Sequence, residues 1–123
     1  MQRRKVLVVD DDEGVRSVTV EMLSVLGFDV STADDGARAI EQTSRHVFDL
    51  VLLDLVIPAM SGIEVFQSIR RTSETTRVLF MTGYSKADIG DLLRDKATAA
   101  LEKPFSMDAL QSSVQALLEE PLR

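Results

Sequence analysis

Two apolar runs in this 123-residue chain end abruptly in acid. Val6-Leu7-Val8-Val9 is followed by Asp10-Asp11-Asp12-Glu13, and Val51-Leu52-Leu53 by Asp54. If the two runs are adjacent parallel strands, their carboxylates meet at one sheet edge. Like charges crowded there raise one another's pKa unless a cation neutralises them. Mg²⁺ suits such a set, because it is a hard ion that takes one or two carboxylates, keeps several waters and accepts phosphate oxygens. Asp11 and Asp54 are the candidate carboxylate ligands, with a backbone carbonyl just after the second run as a third oxygen. A phosphoryl group brought there needs a lysine to match its charge and a hydroxyl or amide on a remaining oxygen. Lys103 and Thr82 are the candidates for those two tasks. Asp54 is then the candidate nucleophile, giving an aspartyl phosphate.

Positioning these groups requires a sheet, and the pattern of the chain supplies one. Val6–Val9 reads as a first strand, and Val15, Val18, Met22 and Leu26 follow at helical spacing until Gly27 stops them. Phe28–Ala33 alternates apolar and polar residues, as a strand with one exposed face does. Asp34-Asp35-Gly36 turns into a helix with Ala37 and Ile40, and Leu50–Asp54 is a third strand. Ser61-Gly62-Ile63-Glu64 is a capping box opening a helix with Ile63, Phe66 and Ile69 on one side. Val78–Thr82 is a fourth strand, and Ser85 with Asp88 predicts another capped helix carrying Ile89, Leu92 and Leu93. Ala99-Ala100-Leu101 is a weak fifth strand, and Ser106 starts a last helix with Met107, Leu110, Val114 and Leu117 inward.

Five βα units imply a parallel sheet with helices on both faces, a doubly wound three-layer α/β fold. The continuously apolar runs should be central and the weaker ones edges, which gives the strand order 2-1-3-4-5. Ligands in such sheets bind at the carboxyl ends of the strands, where the winding reverses. Asp10, Asp11 and Asp54 fall there, and Thr82 and Lys103-Pro104-Phe105 lie on the same edge.

Composition narrows the function classes. The length suits one domain over residues 1–123, with no output domain or linker in the chain. The absence of cysteine removes any disulfide framework or thiolate metal site. Only four apolar residues follow the basic start, too few for an export segment, and no run approaches a membrane span. The expectation is a cytoplasmic domain without membrane contact. A net charge of −6 argues against direct nucleic-acid binding, and Arg70-Arg71 reads as a solvated helix end. Asp12 and Glu13 are expected to serve the first helix's N-terminus, and Asp34 and Asp35 the second's. His46, the only histidine, is expected at the surface.

Val8-Val9-Asp10-Asp11, Leu52-Leu53-Asp54 with Pro58 and Gly62, Met81-Thr82-Gly83 and Lys103-Pro104-Phe105 together resemble the receiver domains of two-component response regulators, over essentially the whole chain. The resemblance implies that Asp54 takes a phosphoryl group from the phosphohistidine of a histidine kinase or histidine phosphotransfer protein. It implies that Asp11 ligates Mg²⁺, with Mn²⁺ able to substitute. Asp10 acts through the metal's water shell, and the Val56 carbonyl completes the protein ligands. It further implies that Thr82 moves to hold the phosphoryl oxygen, that Lys103 pairs with it, and that Lys103–Pro104 is cis. The output partner is unspecified, and phosphorylation is expected to allow a homodimer. Such a domain catalyses its own phosphorylation and dephosphorylation and is not a turnover enzyme.

Two features depart from the family pattern. Ala100 stands where an aromatic ring usually lies, so output is expected to run through the loop from Thr82 to Lys86, with Tyr84. Lys96 stands where a glycine is common before the fifth strand. Val56 and Tyr84 flank the site where many relatives are polar, and this predicts a long-lived phosphoform. Three other readings compete. A docking module that is never phosphorylated has no need of repelling carboxylates. An aspartate-nucleophile phosphatase of the haloacid dehalogenase type needs an acid where Val56 stands. An FMN carrier needs a phosphate loop rich in Ser, Thr and Gly, where this chain has Asp10–Glu13.

Overall fold

The computed structural model of the chain describes residues 3–57, 60–83 and 89–119. Five parallel strands form one sheet: β1 (Lys5–Val9), β2 (Asp29–Ala33), β3 (Leu50–Asp54), β4 (Arg77–Thr82) and β5 (Thr98–Glu102). Their order is β2-β1-β3-β4-β5, as the apolar pattern predicts. Val6–Val9 and Leu50–Leu53 are wholly buried because helices cover both sheet faces. Alternate residues point to opposite faces. Leu7, Val9, Val51, Leu53, Val78, Phe80 and Ala100 enter a core closed by α2 (Gly36–Arg45) and α3 (Gly62–Thr72). Val6, Val8, Leu50, Leu52, Leu79, Met81 and Leu101 enter the other, closed by α1 (Glu13–Val25) and α4 (Met107–Glu119).

Local chemistry sets the helix ends. Asp12 accepts from the Val15 amide at 3.0 Å, Asp35 from Arg38 at 2.8 Å, and Ser61 from Glu64 at 3.3 Å. Each satisfies a donor that the first helical turn leaves unpaired. Gly27, at φ +95°, takes the left-handed turn that ends α1.

Three expectations need correction. The buried residues of α1 are Thr19 and Leu23, whereas Val18 is half exposed. Thr19 tolerates burial because its hydroxyl donates to the Val15 carbonyl at 2.7 Å. In α3 the buried set is Val65, Phe66 and Ile69, with Ile63 exposed, a rotation of the predicted stripe. Arg70 is no solvated helix end. Its side chain, 15% exposed, pairs with Asp95 at 2.6 Å, donates to the Thr76 carbonyl at 2.7 Å, and lies 4.9 Å from the Phe66 ring centre. Only Arg71 of the pair is solvated.

The helix predicted from Ser85 falls partly on Tyr84–Asp88, outside the described residues. What is described of it is buried Ile89 and, beyond Gly90 and Asp91, a 3₁₀ turn at Leu92–Arg94.

Candidate functional site

Four neighbouring strands each deliver one side chain to the same edge. Asp10 follows β1, Asp54 ends β3, Thr82 ends β4 and Lys103 follows β5. Asp10, Asp54 and Thr82 are buried. Asp11 and the Val56 side chain are exposed, Val56 at 62%. Lys103 Nζ donates to Asp10 Oδ2 at 2.8 Å and to Asp54 Oδ2 at 2.9 Å, so one ammonium bridges two buried acids. The Lys103–Pro104 peptide is cis, and the Lys103 amide donates to the Thr82 carbonyl at 2.8 Å.

The surrounding backbone holds these acids in place. Asp54 Oδ1 accepts from the Val56 amide at 3.0 Å. Asp10 Oδ1 accepts from the Asp12 amide at 2.9 Å, and the Asp10 carbonyl accepts from Arg16 Nη1 at 2.8 Å. Gly62 packs against the end of β3. A Cβ there would strike the Asp54 carbonyl oxygen and fall 2.7 Å from the Leu55 Cα.

Burial, helped by the charge of Asp10, raises the Asp54 carboxyl above the usual aspartate range, against the Val56 amide and Lys103, which pull it down. Burial disfavours the Lys103 ammonium, but hydrogen bonds and charge from Asp10 and Asp54 outweigh it and hold the group above the usual lysine range. The lysine is thus a firm cation, while the acid is kept in a state that further positive charge would relieve.

Asp10, Asp11 and Asp54 each offer a carboxylate oxygen, all within 4.8 Å of one another. Three oxygens at that spacing, two of them on buried carboxylates, fit a hard divalent cation. Among the sequence-predicted residues, the structure therefore gathers Asp10, Asp11, Asp54, Thr82 and Lys103 at one edge. Tyr84 and Pro58 lie outside the described residues.

Ala100 is buried and pairs in register with Phe80, whose ring meets Phe66 edge-on at 5.2 Å. The aromatic ring beside the Ala100 position is therefore that of β4. Lys96 is exposed in the turn before β5, and His46 is exposed at the end of α2. Two contributors escaped the sequence reading. Arg16 carried one usable signal, a cation placed in a helix's first turn, where the dipole disfavours it. Arg70, expected as a solvated helix end, carried only its i, i+4 spacing to Phe66, because its hydrogen-bond and ion-pair partners come from later in the chain.

The chain matches the response regulator receiver domain over residues 6–115. It is 34% identical over 121 residues to sporulation initiation phosphotransferase F of Bacillus subtilis (strain 168), covering 96% of each chain. Against transcriptional regulatory protein ZraR of Klebsiella oxytoca it is 36% identical over 114 residues, covering 92% of this chain but 26% of that protein. Among solved structures, response regulator protein TrrA of Thermotoga maritima, in complex with Mg(2+)-BeF, aligns with a TM-score of 0.82. That match has 31% sequence identity and covers 93% of this chain and 98% of TrrA. A family match running from β1 into α4, on the same sheet order and with the acids and lysine converging at the strand ends, means that the chain belongs to the response regulator receiver domain family.

Proposed function

We propose that Asp54 is the phosphoacceptor of a two-component relay, taking a phosphoryl group from a phosphohistidine on a histidine kinase or histidine phosphotransfer protein. The observation that carries this reading is Lys103 bridging Asp54 and Asp10 at the strand ends, beside exposed Asp11. The likeness to TrrA in its Mg(2+)-BeF complex supports it.

In this reading an Asp54 carboxylate oxygen attacks phosphorus as the P–N bond to the donor imidazole breaks, and the imidazole leaves with the electron pair. Such a transition state is loose and its charge is spread over the equatorial oxygens, so positioning and electrostatics do most of the work. Asp54 is positioned by the Val56 amide and by the packing of Gly62. Lys103 keeps its proton and pairs with the incoming phosphoryl oxygens, and the Thr82 hydroxyl takes another. When bound, Mg²⁺, or Mn²⁺ with its similar preference for oxygen, neutralises developing charge, and Asp11, Asp10 and the Val56 carbonyl would hold it. The phosphorylated domain then alters its contacts with an output partner or a second copy of itself. Residues 1–123 act as one cytoplasmic receiver domain that catalyses only its own phosphorylation and dephosphorylation. In this reading the apolar bodies of Val56 and Tyr84 limit water access to the phosphoryl group, which favours a long-lived phosphoform.

Incubation with a small acyl phosphate and Mg²⁺, followed by intact mass measurement, tests the reading. The expected result is a gain of one phosphoryl group that is absent from Asp54→Asn and from metal-free samples. No gain at any Mg²⁺ concentration would favour a docking module that is never phosphorylated.

A further inference from the structure

We propose that Arg16 is a positioning residue for the metal-binding face of the site, acting through the peptide that joins Asp10 to Asp11. The proposal rests on the phosphoacceptor reading above. Every polar group of Asp10 has a partner: its amide donates to the Ala33 carbonyl at 3.2 Å, Oδ1 accepts from Asp12 at 2.9 Å, and Oδ2 accepts from Lys103 at 2.8 Å. Its carbonyl accepts from Arg16 Nη1 at 2.8 Å. Asp11 contrasts with it, being exposed, with no side-chain hydrogen bond or ion pair to the described residues. What sets the direction of Asp11 is therefore the peptide preceding it, and Arg16 holds the oxygen of that peptide.

The placement of Arg16 is not explained by helix stability. It lies in the first turn of α1, where its amide bonds to the Asp12 carbonyl at 2.8 Å. A cation there opposes the helix dipole. Its side chain folds back over the helix start to reach a residue six positions earlier.

Two effects of this guanidinium on a bound divalent cation have opposite signs. Its positive charge repels the metal, so removing it should tighten binding. Its hold on the Asp10 carbonyl orients a ligand in advance, so removing it should loosen binding. Outer partners that orient metal ligands typically matter ten- to a hundredfold in affinity, and the partly buried guanidinium spends part of its charge on the Asp10 carbonyl it holds. The orienting effect should dominate.

The test is calorimetric titration of MgCl₂ into the metal-free full chain, with amide NMR spectra of the same samples before metal. Arg16→Met and Arg16→Gln both remove the cation, so a folding failure in one leaves the other, and Arg16→Lys keeps a cation and an N–H donor. The expected result is an approximately tenfold or greater rise in the Mg²⁺ dissociation constant for R16M and R16Q. R16K should recover most of the loss, and the Asp11 amide resonance should shift in R16M without metal. Neutral variants that bind Mg²⁺ as tightly as wild type, or more tightly, would overturn the proposal, even if they melt at a lower temperature. A wild-type chain that takes up no Mg²⁺ would remove the phosphoacceptor reading itself, whereas wild-type binding left unchanged in R16M and R16Q removes only the role of Arg16.

Discussion

Gly62 and Asp54 are locked together by the absence of one methyl group. Because a Cβ on Gly62 would strike the Asp54 carbonyl oxygen, Gly62→Ala must push the end of β3 away from the start of α3. We expect it to cost roughly 2–3 kcal/mol in denaturant unfolding, in the range of overpacked sites, and to slow phosphoryl uptake. Gly83→Ala is the control: none of the described residues lies within 4 Å of its added Cβ, so its cost should stay under about 0.5 kcal/mol. Asp54 gives a second prediction. Its carboxyl binds a proton more tightly folded than unfolded, so metal-free stability should fall as pH rises from the ordinary aspartate value of 3.8 through the raised one. Asp54→Asn removes that group, and its stability should gain on wild type across the same window in thermal melts. At this scale the caps Asp12, Asp35 and Ser61 were legible because they act within three residues. The partners of Gly62 and Arg16 were not, since adjacency in space decides them.

Phe66, Arg70 and Asp95 make α3 more than a cover for the sheet. Arg70 pairs with Asp95, with Nε to Oδ2 at 2.6 Å and Nη2 to Oδ1 at 3.3 Å, and so ties the end of α3 to the turn before β5. Breaking a largely buried pair leaves an uncompensated charge, so Arg70→Met should destabilise the fold by about 2–3 kcal/mol in urea. Burial disfavours the ionised Asp95, but Arg70 and the Ala97 amide outweigh it and lower its pKa. The advantage of wild type over Asp95→Asn should therefore be complete above the ordinary value of 3.8 and fade as pH falls through the depressed one. Equal acid sensitivity of the two proteins would contradict this. Helix existence was readable from periodicity, but helix rotation was not. The four apolar positions Ile63, Val65, Phe66 and Ile69 of α3 fit more than one stripe, and burial in the core that holds Phe80 selects Val65, Phe66 and Ile69. The α1 stripe failed differently, since Thr19 counts as polar until its hydroxyl closes on its own helix.

The whole sheet was legible because strand continuity, strand order and site location are one constraint. Runs buried on both faces must be central, and central parallel strands bring their ends to one edge. If that edge binds Mg²⁺, the cation stabilises only the folded chain. At a hundred times its dissociation constant it should add about 2.7 kcal/mol, seen as a higher melting temperature that Asp11→Asn abolishes. The Lys103–Asp10 bond carries a further consequence. It joins residues 93 positions apart, across β1, β3, β4 and β5. A chain divided anywhere between those two residues leaves neither fragment with both the acid and its lysine. Two such fragments would be silent apart and competent together, so phosphoryl uptake by a severed pair would report their reunion.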